Sequence, residues 1–257
     1  MRAREIIKII EEFAPGRIQE SWDNSGLMVG DPDKEIESLI LGLDCTPELI
    51  EEAIEYGAGM IITHHPLIFK GIKRIGTETV QERMINRLIK NDIVLYSSHT
   101  NIDKVPNGVS ALMAKKIGLK NTSFLLPDSE MTVGLGLVGE LEEEIDVENL
   151  ISILKEAYQI KSVKCSRPID GRIKRIAVCG GSGGSLIREA MQSGASVYIT
   201  GDISYHNFFC EEGFMIIDIG HYESEVDILE LLMSVILEKI SNFVVRIGNN
   251  NNPIYHF

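Results

Sequence analysis

The chain has 257 residues, of which 44% are hydrophobic, and its 25 lysines and arginines stand against 38 aspartates and glutamates, for a formal net charge of -13. This hydrophobic content excludes a disordered or fibrous protein, and the acidic balance argues against binding to nucleic acid or to a membrane surface. Neither a signal peptide nor a run of eighteen apolar residues is found, and the four cysteines show no C-x-x-C spacing. We therefore expect a soluble cytoplasmic protein.

Helical and strand patterns alternate along the chain. The first half predicts a helix over Ala3–Phe13, a strand over Ile36–Leu43, a helix that begins after the N-cap Thr46 and ends at Gly57, a strand over Met60–Thr63, a helix over Glu78–Lys90, a strand over Ile93–Ser98 and a helix from Asn107 to Gly118.

After Pro127, an apolar run with glycines covers Met131–Leu141. The remaining predicted elements are a helix over Val147–Tyr158, strands near Ser162–Cys165 and Arg172–Cys179, a helix over Ser185–Gln192, strands over Ser196–Thr200 and Phe214–Ile219, a helix over Ser224–Ile240, a strand over Phe243–Ile247 and a terminal loop, Gly248–Phe257. This alternation favours an α/β protein with largely parallel sheets flanked by helices.

Two stretches of the chain repeat one pattern. The stretch that begins IESLILGLD aligns with the one that begins IKRIAVCGG, and both end in a Gly-Ala-x-x-x-Ile-Thr pattern. A second alignment pairs His99 with His221 and Asp103 with Glu225. Any two strand–helix–strand units share an apolar pattern, but the paired histidines and acids favour a true internal repeat.

The repeat predicts two related α/β domains with mixed, largely parallel sheets flanked by helices. Because the last histidine segment must return to meet the first, we expect a discontinuous metal-site domain over residues 1–125 plus 220–257. Residues 126–219 then form a second α/β domain inserted within it.

Four of the six histidines follow predicted strands directly. His64 and His65 come after MIIT, His99 after IVLYSS and His221 after MIIDIG. In open α/β sheets, functional sites gather beyond the carboxyl ends of strands, where loops converge. Each histidine alone could simply cap a strand, but four such positions together favour a site.

Carboxylates stand four residues after two of these histidines. Asp103 follows His99, and Glu225 follows His221 at the start of a predicted helix, which places the latter pair on one helix face. The alternative for Glu225 is an interaction with the helix N-terminus, or a solvated surface pair. Imidazole with carboxylate suits zinc, iron, manganese, cobalt or nickel rather than calcium.

Six motifs occur in order along almost the whole chain and resemble one family, the GTP cyclohydrolase 1 type 2 homologues, also called Nif-three-like dinuclear metal-centre proteins. They are WDNSGL (Trp22–Leu27), LDCT (Leu43–Thr46), THHPLIF (Thr63–Phe69), SSHTNID (Ser97–Asp103), YITGDISYH (Tyr198–His206) and DIGHYESE (Asp218–Glu225). Only about fifty residues separate Pro127 from the second repeat, so the chain resembles the short form without the inserted middle domain.

The resemblance implies two divalent metal ions per chain at a site between the two domains. Their identity (zinc, iron, manganese, nickel or cobalt) stays open. The implied ligands are His64, His65, Asp103, His221 and Glu225. Either Asp103 or Glu225 is the natural bridge between the ions. His99 is the candidate catalytic residue, and its alternatives are a ligand, an orienting residue or a plain strand-end histidine.

Two ions with open positions favour a dinuclear metal-dependent hydrolase rather than a structural site. The family name points to opening of the guanine imidazole ring of GTP by metal-bound hydroxide, with His99 as general acid. The alternatives are a metal-containing regulatory or scaffold protein without turnover, and a protein that stores or delivers metal. The resemblance also implies a toroidal homohexamer and a small-molecule substrate of nucleotide size.

Some further features have two readings. The loop CGGSGGS (Cys179–Ser185) could bind phosphate through backbone amides, but a tight turn that permits close packing is favoured. Trp22, the only tryptophan, is expected in the core, and Asp23 and Asn24 could orient a ligand or hold a turn. A group of basic residues is a candidate for phosphate contact or a solvated surface: Lys70, Lys73 and Arg74.

Overall fold

A computed structural model describes residues 1–255 of the chain. Its contacts divide the chain into two compact units. Unit 1 comprises Met1–Ile102 and the segment from Ile228 onward, and unit 2 comprises Asp103–Asp227. Unit 1 is therefore discontinuous in sequence, with unit 2 inserted in it.

The described residues contain eleven strands and nine α-helices. The strands are β1 (Gly26–Val29), β2 (Ser38–Gly42), β3 (Met60–Thr63), β4 (Val94–Ser97), β5 (Lys120–Pro127), β6 (Gly134–Ile145), β7 (Lys164–Cys165), β8 (Ile173–Ser182), β9 (Val197–Gly201), β10 (Met215–Asp218) and β11 (Val244–Ile247). The helices are α1 (Ala3–Phe13), α2 (Pro47–Tyr56), α3 (Val80–Lys90), α4 (Thr100–Asp103), α5 (Val109–Lys116), α6 (Val147–Tyr158), α7 (Ile187–Gln192), α8 (His221–Glu225) and α9 (Ile228–Lys239).

Unit 1 contains a five-stranded sheet in the order β1-β4-β3-β2-β11. Every neighbouring pair is parallel except β1 with β4. The central strands β2, β3 and β4 are buried along their whole length, which explains their continuous apolar sequences. Their parallel direction brings the carboxyl ends of all three to one edge of the sheet.

Local sequence signals set the bounds of the unit 1 helices. The Thr46 hydroxyl accepts a hydrogen bond from the Leu49 N–H at the start of α2, and Gly57 ends that helix with a left-handed φ of 71°. Thr79 begins α3 with a capping box to Glu82. The apolar faces of both helices pack in one core cluster with residues of β2, β3 and β4.

Unit 2 contains a six-stranded sheet in the order β5-β6-β8-β9-β10-β7. The strands β8, β9 and β10 run parallel, and the outer strands pair antiparallel. Alternate residues of β8 enter two different core clusters, so both faces of this sheet are covered. The mixed α/β class predicted from the sequence is confirmed, and unit 2 contributes its antiparallel part.

Two strands have no counterpart among the sequence predictions. All eight residues of β5 are exposed or half-buried because it is an edge strand, and the apolar residues are confined to its second half. β1 is a short edge strand with one buried residue. Since β5 pairs with β6, the segment around residues 103–127 belongs to unit 2, whereas the sequence placed the domain boundaries at 125/126 and 219/220.

Two helix ends also differ from the sequence expectations. The N-cap of α5 is Gly108, and the exposed Asn107 does not cap that helix. The long helix predicted over Ser224–Ile240 begins earlier and is divided into α8 and α9. Among the described residues, no helix has both the length and the apolar content needed to cross a membrane.

Candidate metal centre

Three histidines of unit 1 lie together at the carboxyl edge of its sheet. His64 and His65 follow β3, and His99 follows β4, which pairs with β3 in parallel register. The ring centroids are 4.9 Å apart for His64 and His65, and 5.2 Å and 5.5 Å from these rings to His99. One ligand nitrogen from each residue lies within 4.8 Å of the other two. This histidine group can therefore hold a metal ion.

Each histidine in this group hydrogen-bonds through Nδ1 to an oxygen acceptor. The partner of His64 is the Ser98 carbonyl oxygen at 2.8 Å, and the partner of His65 is Asp44 Oδ1 at 2.9 Å. These contacts favour the tautomer with a proton on Nδ1, which makes Nε2 the atom available for coordination. Metal-bound histidines nearly always show this arrangement.

Asp23 orients His99. The His99 Nδ1 lies 2.8 Å from Asp23 Oδ1, and the second carboxylate oxygen accepts hydrogen bonds from the Thr100 N–H and hydroxyl. Burial raises the pKa of the Asp23 carboxyl, but hydrogen bonds from His99 and Thr100 outweigh burial and hold this pKa well below its usual range. Asp23 is thus a fixed carboxylate that orients His99. It also holds the turn, because it accepts hydrogen bonds from the Asn24 N–H and the Ser25 hydroxyl.

Unit 2 contributes a histidine–carboxylate pair. His221 and Glu225 lie at the two ends of α8, and His221 Nε2 is 3.0 Å from Glu225 Oε2. The predicted placement on one helix face is therefore confirmed. His221 Nδ1 lies 2.8 Å from Asp202 Oδ2, so this histidine repeats the arrangement seen in unit 1. Glu225 is buried at the end of α8 and does not lie at a helix N-terminus.

A glycine allows β8 to approach Glu225 closely. Gly181 has a φ of 61°, and a Cβ atom at this position would overlap Glu225 Oε1. The Gly181 N–H donates a hydrogen bond of 2.9 Å to the Ser224 hydroxyl. The packing role predicted for the glycine-rich loop is confirmed at this position.

Asp103 is the last residue of α4 and belongs to unit 2. Its negative charge acts on the same buried thiol as that of Glu225: burial, followed by the negative charges of Asp103 and Glu225, raises the pKa of Cys179 to about 12. Asp103 and Glu225 thus act on one region of unit 2. Their role as ligands stays a prediction.

The expectation that Trp22 packs in the core is wrong, since this side chain is 58% exposed. The reason is its position in a turn, where the neighbouring Asp23 makes the inward contact to His99 and Trp22 stays exposed. Lys70, Lys73 and Arg74 are also exposed.

Sequence reasoning missed two carboxylates of this centre, Asp44 and Asp202. They follow β2 and β9, two and one residues after the strands end. The signal was present, because the rule that singled out the strand-end histidines applies equally to acids that follow strands. Both residues lie within motifs that carry the family resemblance, LDCT and YITGD.

A sequence model described as Duf34/NIF3 (NGG1p interacting factor 3) matches residues 1–253 of the chain. The chain belongs to the Duf34/NIF3 family. The resemblance predicted from the six motifs is confirmed.

Several Duf34/NIF3 relatives carry the name GTP cyclohydrolase 1 type 2 homolog. The protein of Clostridium perfringens is 40% identical over 95% of this chain and 94% of its own length, and that of Clostridium acetobutylicum is 35% identical over 100% and 99%. A Staphylococcus aureus relative is 27% identical in an alignment of 364 residues that covers 98% of this chain and 99% of the relative. That relative is longer, as expected if this chain is a short form.

Several solved structures share the fold of this chain. Staphylococcus aureus protein SA1388 superimposes with a TM-score of 0.90 at 31% identity, over 100% of this chain and 99% of that chain. Reduced HcgD from Methanocaldococcus jannaschii gives a TM-score of 0.83 at 32% identity, over 97% and 98%.

Proposed function

We propose that this chain is a divalent-metal-dependent hydrolase. The ligands proposed for its ions are His64, His65, Asp103, His221 and Glu225. The observation that carries the proposal is the environment of the histidines: Nδ1 of each of the four strand-end histidines hydrogen-bonds to a carboxylate or carbonyl oxygen. Isolated histidine–aspartate pairs also occur as structural contacts, but three such pairs and one histidine–carbonyl contact, all at strand ends, favour coordination through Nε2 of the proposed histidine ligands.

The donor set fits a catalytic ion better than a structural one. Imidazole and carboxylate ligands suit zinc, iron, manganese, nickel or cobalt, whereas a structural zinc site uses cysteines. The buried cysteines Cys45 and Cys179 have their pKa raised to about 12, which disfavours the thiolate that a metal requires. Bound divalent ions would supply Lewis acidity and activated water for hydrolysis.

His99 is the proposed general acid. Asp23 holds its Nδ1 proton, so Nε2 is the atom at which His99 would give a proton to a leaving group or take one from water. The candidate reaction is opening of the guanine imidazole ring of GTP, which the names of the relatives suggest.

Metal content tests the proposal. We would measure metals per chain by elemental analysis on protein purified without chelator or immobilised nickel, and compare a His65→Ala/Glu225→Ala double variant. We expect about two ions per wild-type chain and loss of most of this metal in the variant. A His206→Ala/Glu48→Ala double variant removes the same side-chain types elsewhere and should keep the metal.

Two other outcomes of these measurements would favour the alternative functions, a scaffold protein or a protein that stores or delivers metal. Less than one ion per wild-type chain after incubation with zinc, manganese or iron would contradict the proposed ligands and favour a scaffold protein. Exchangeable metal without hydrolysis of GTP or other nucleotides would favour metal storage or delivery. Nucleotide hydrolysis that is lost with the metal and in His99→Ala would support the hydrolase.

A further inference from the structure

Two large aromatic side chains lie exposed beside the histidine group of unit 1. Trp22 is 58% exposed and Phe69 is 41% exposed, and their ring centroids lie 5.9 Å apart with the planes tilted by 47°. Both rings also contact His99, at centroid distances of 6.2 Å and 6.3 Å. We call Trp22 and Phe69 the aromatic pair. Exposed apolar groups that adjoin a candidate catalytic residue are typical of a ligand contact.

Hydrogen bonds hold the aromatic pair in place. The Asn24 side-chain amide donates to the Ile68 carbonyl oxygen at 2.5 Å and so joins the turn that carries Trp22 to the segment that carries Phe69. In the same turn, the Asp23 carboxylate accepts hydrogen bonds from the Thr100 N–H and hydroxyl. The aromatic pair is therefore preorganised, which lowers the entropy cost of ordering these side chains when a ligand binds.

Basic residues follow Phe69 in a long loop. Residues 64–79 connect β3 to α3 without a helix or strand, and loops of more than about 12–15 residues without secondary structure are usually either functional or disordered linkers. The loop carries the exposed Lys70, Lys73 and Arg74, and its only acidic residue is Glu78. In a chain with a net charge of -13, this basic loop is a local exception suited to an anion.

We infer that the aromatic pair stacks on a planar heteroaromatic ring of the substrate and that the basic loop binds a phosphate group on the same molecule. The ligand class is a phosphorylated heteroaromatic compound, of which a purine nucleotide is the simplest example. Aromatic side chains stack on bases of any sequence, and lysine and arginine bind phosphate. The inference rests on the proposed function, because it names the substrate class of the same site.

Trp22 is the only tryptophan, so its fluorescence reports on the aromatic pair directly. We would titrate the metal-free protein with GMP, guanosine and inorganic phosphate, excite at the red edge of tryptophan absorption, and correct for ligand absorbance with free N-acetyltryptophanamide. We expect saturable quenching by GMP, weaker binding of guanosine and no quenching by phosphate alone.

Variants with matched controls locate the contacts. Stacking contributes about 1–3 kcal/mol per base, so Phe69→Ala should weaken GMP binding about 5- to 150-fold, and Phe69→Tyr should restore it. Tyr56→Ala removes an aromatic ring that is 44% exposed at the C-terminal end of α2. This control variant should bind GMP with unchanged affinity. Lys73→Glu should weaken binding, whereas Lys90→Glu, the same charge change on α3, should not.

Two results would overturn the inference: no saturable quenching by GMP up to millimolar concentration, or equal affinities in Phe69→Ala and Tyr56→Ala. Equal binding of GMP and guanosine would overturn the role of the basic loop. Circular dichroism and the metal content of Phe69→Ala show whether that variant folds. Because the titration uses metal-free protein, failure of metal binding and failure of the aromatic pair are distinguished.

Discussion

At the scale of single residues, the chemistry of the candidate centre depends on the oxygen atom to which the Nδ1 of each histidine is hydrogen-bonded. Asp44 accepts from His65 and Asp202 accepts from His221, at 2.9 Å and 2.8 Å. A carboxylate in this position fixes the ring orientation and makes the opposite nitrogen a better metal donor. The two aspartates therefore matter for metal affinity although neither is a proposed ligand.

Asp44→Asn and Asp202→Asn should each weaken metal binding about 10- to 100-fold, because loss of such an orienting partner has that effect in metal sites. The measurement is competition with a chromophoric chelator for zinc or manganese. Asp33→Asn, which removes an exposed carboxylate paired with Arg4, is the control and should keep the wild-type affinity. Unchanged affinity in both aspartate variants would contradict coordination through Nε2.

The cysteines should differ in reactivity with a thiol reagent. Burial, followed by the negative charge of Asp44, raises the pKa of Cys45 to about 12, and Cys179 is buried with a pKa of similar value, so neither forms thiolate near neutral pH. Cys165 is exposed and should react with an aromatic disulfide in a fast phase under native conditions. Cys45 and Cys179 should react only in denaturant.

A Cys165→Ser/Cys210→Ser variant should therefore show no fast phase under native conditions and two reactive thiols in denaturant. Fast labelling of this variant without denaturant would show that Cys45 or Cys179 is accessible, contrary to the packing around them.

At the scale of elements, the close approach of β8 to α8 positions Glu225. The Gly181 N–H binds Ser224, and the space beside its Cα is occupied by the Glu225 carboxylate. A side chain at position 181 would have to displace that carboxylate. The glycine-rich segment thus contributes to the centre through packing, independently of any role in phosphate binding.

Gly181→Ala should lower both stability and metal content. The left-handed φ of 61° costs alanine about 1–2 kcal/mol, and the overlap moves the Glu225 carboxylate. Gly194→Ala is a matched control, because Gly194 also has a left-handed φ, 78°, but the nearest atom to a new Cβ lies 3.9 Å away. Gly181→Ala should lose at least as much unfolding free energy in urea as Gly194→Ala, because of the added overlap, and only Gly181→Ala should lose metal. Equal metal contents would contradict the proposed role of Glu225.

At the scale of the whole molecule, the family resemblance implies that several copies of the chain assemble into a homo-oligomer. We propose a homohexamer, which predicts a particle of about six times the 28.6 kDa chain mass in light scattering. The mass should persist after chelation if apolar interfaces hold the assembly, because such interfaces do not depend on metal ligands. A monomeric mass at micromolar concentration would contradict this proposal.

Elements marked by local signals, such as capping residues and apolar runs, could be predicted from the sequence. Helix α2 was bounded by Thr46 and Gly57, and the buried strands by their apolar runs, because capping and burial act on residues close in the chain. The strand-end histidines followed from the same bounds. The short parallel strands placed three of them at one edge of the unit 1 sheet, as the α/β rule predicts.

Contacts between segments that are distant in the chain could not be predicted from local sequence patterns and are seen only in the folded structure. The partner of His99 lies 76 residues away at Asp23, and that contact follows from the turn before β1, an edge strand of four residues with one buried side chain. The exposure of Trp22 was decided in the same turn. Edge strands and hydrogen-bond partners depend on which segments become neighbours in space, and local periodicity carries no information about that choice.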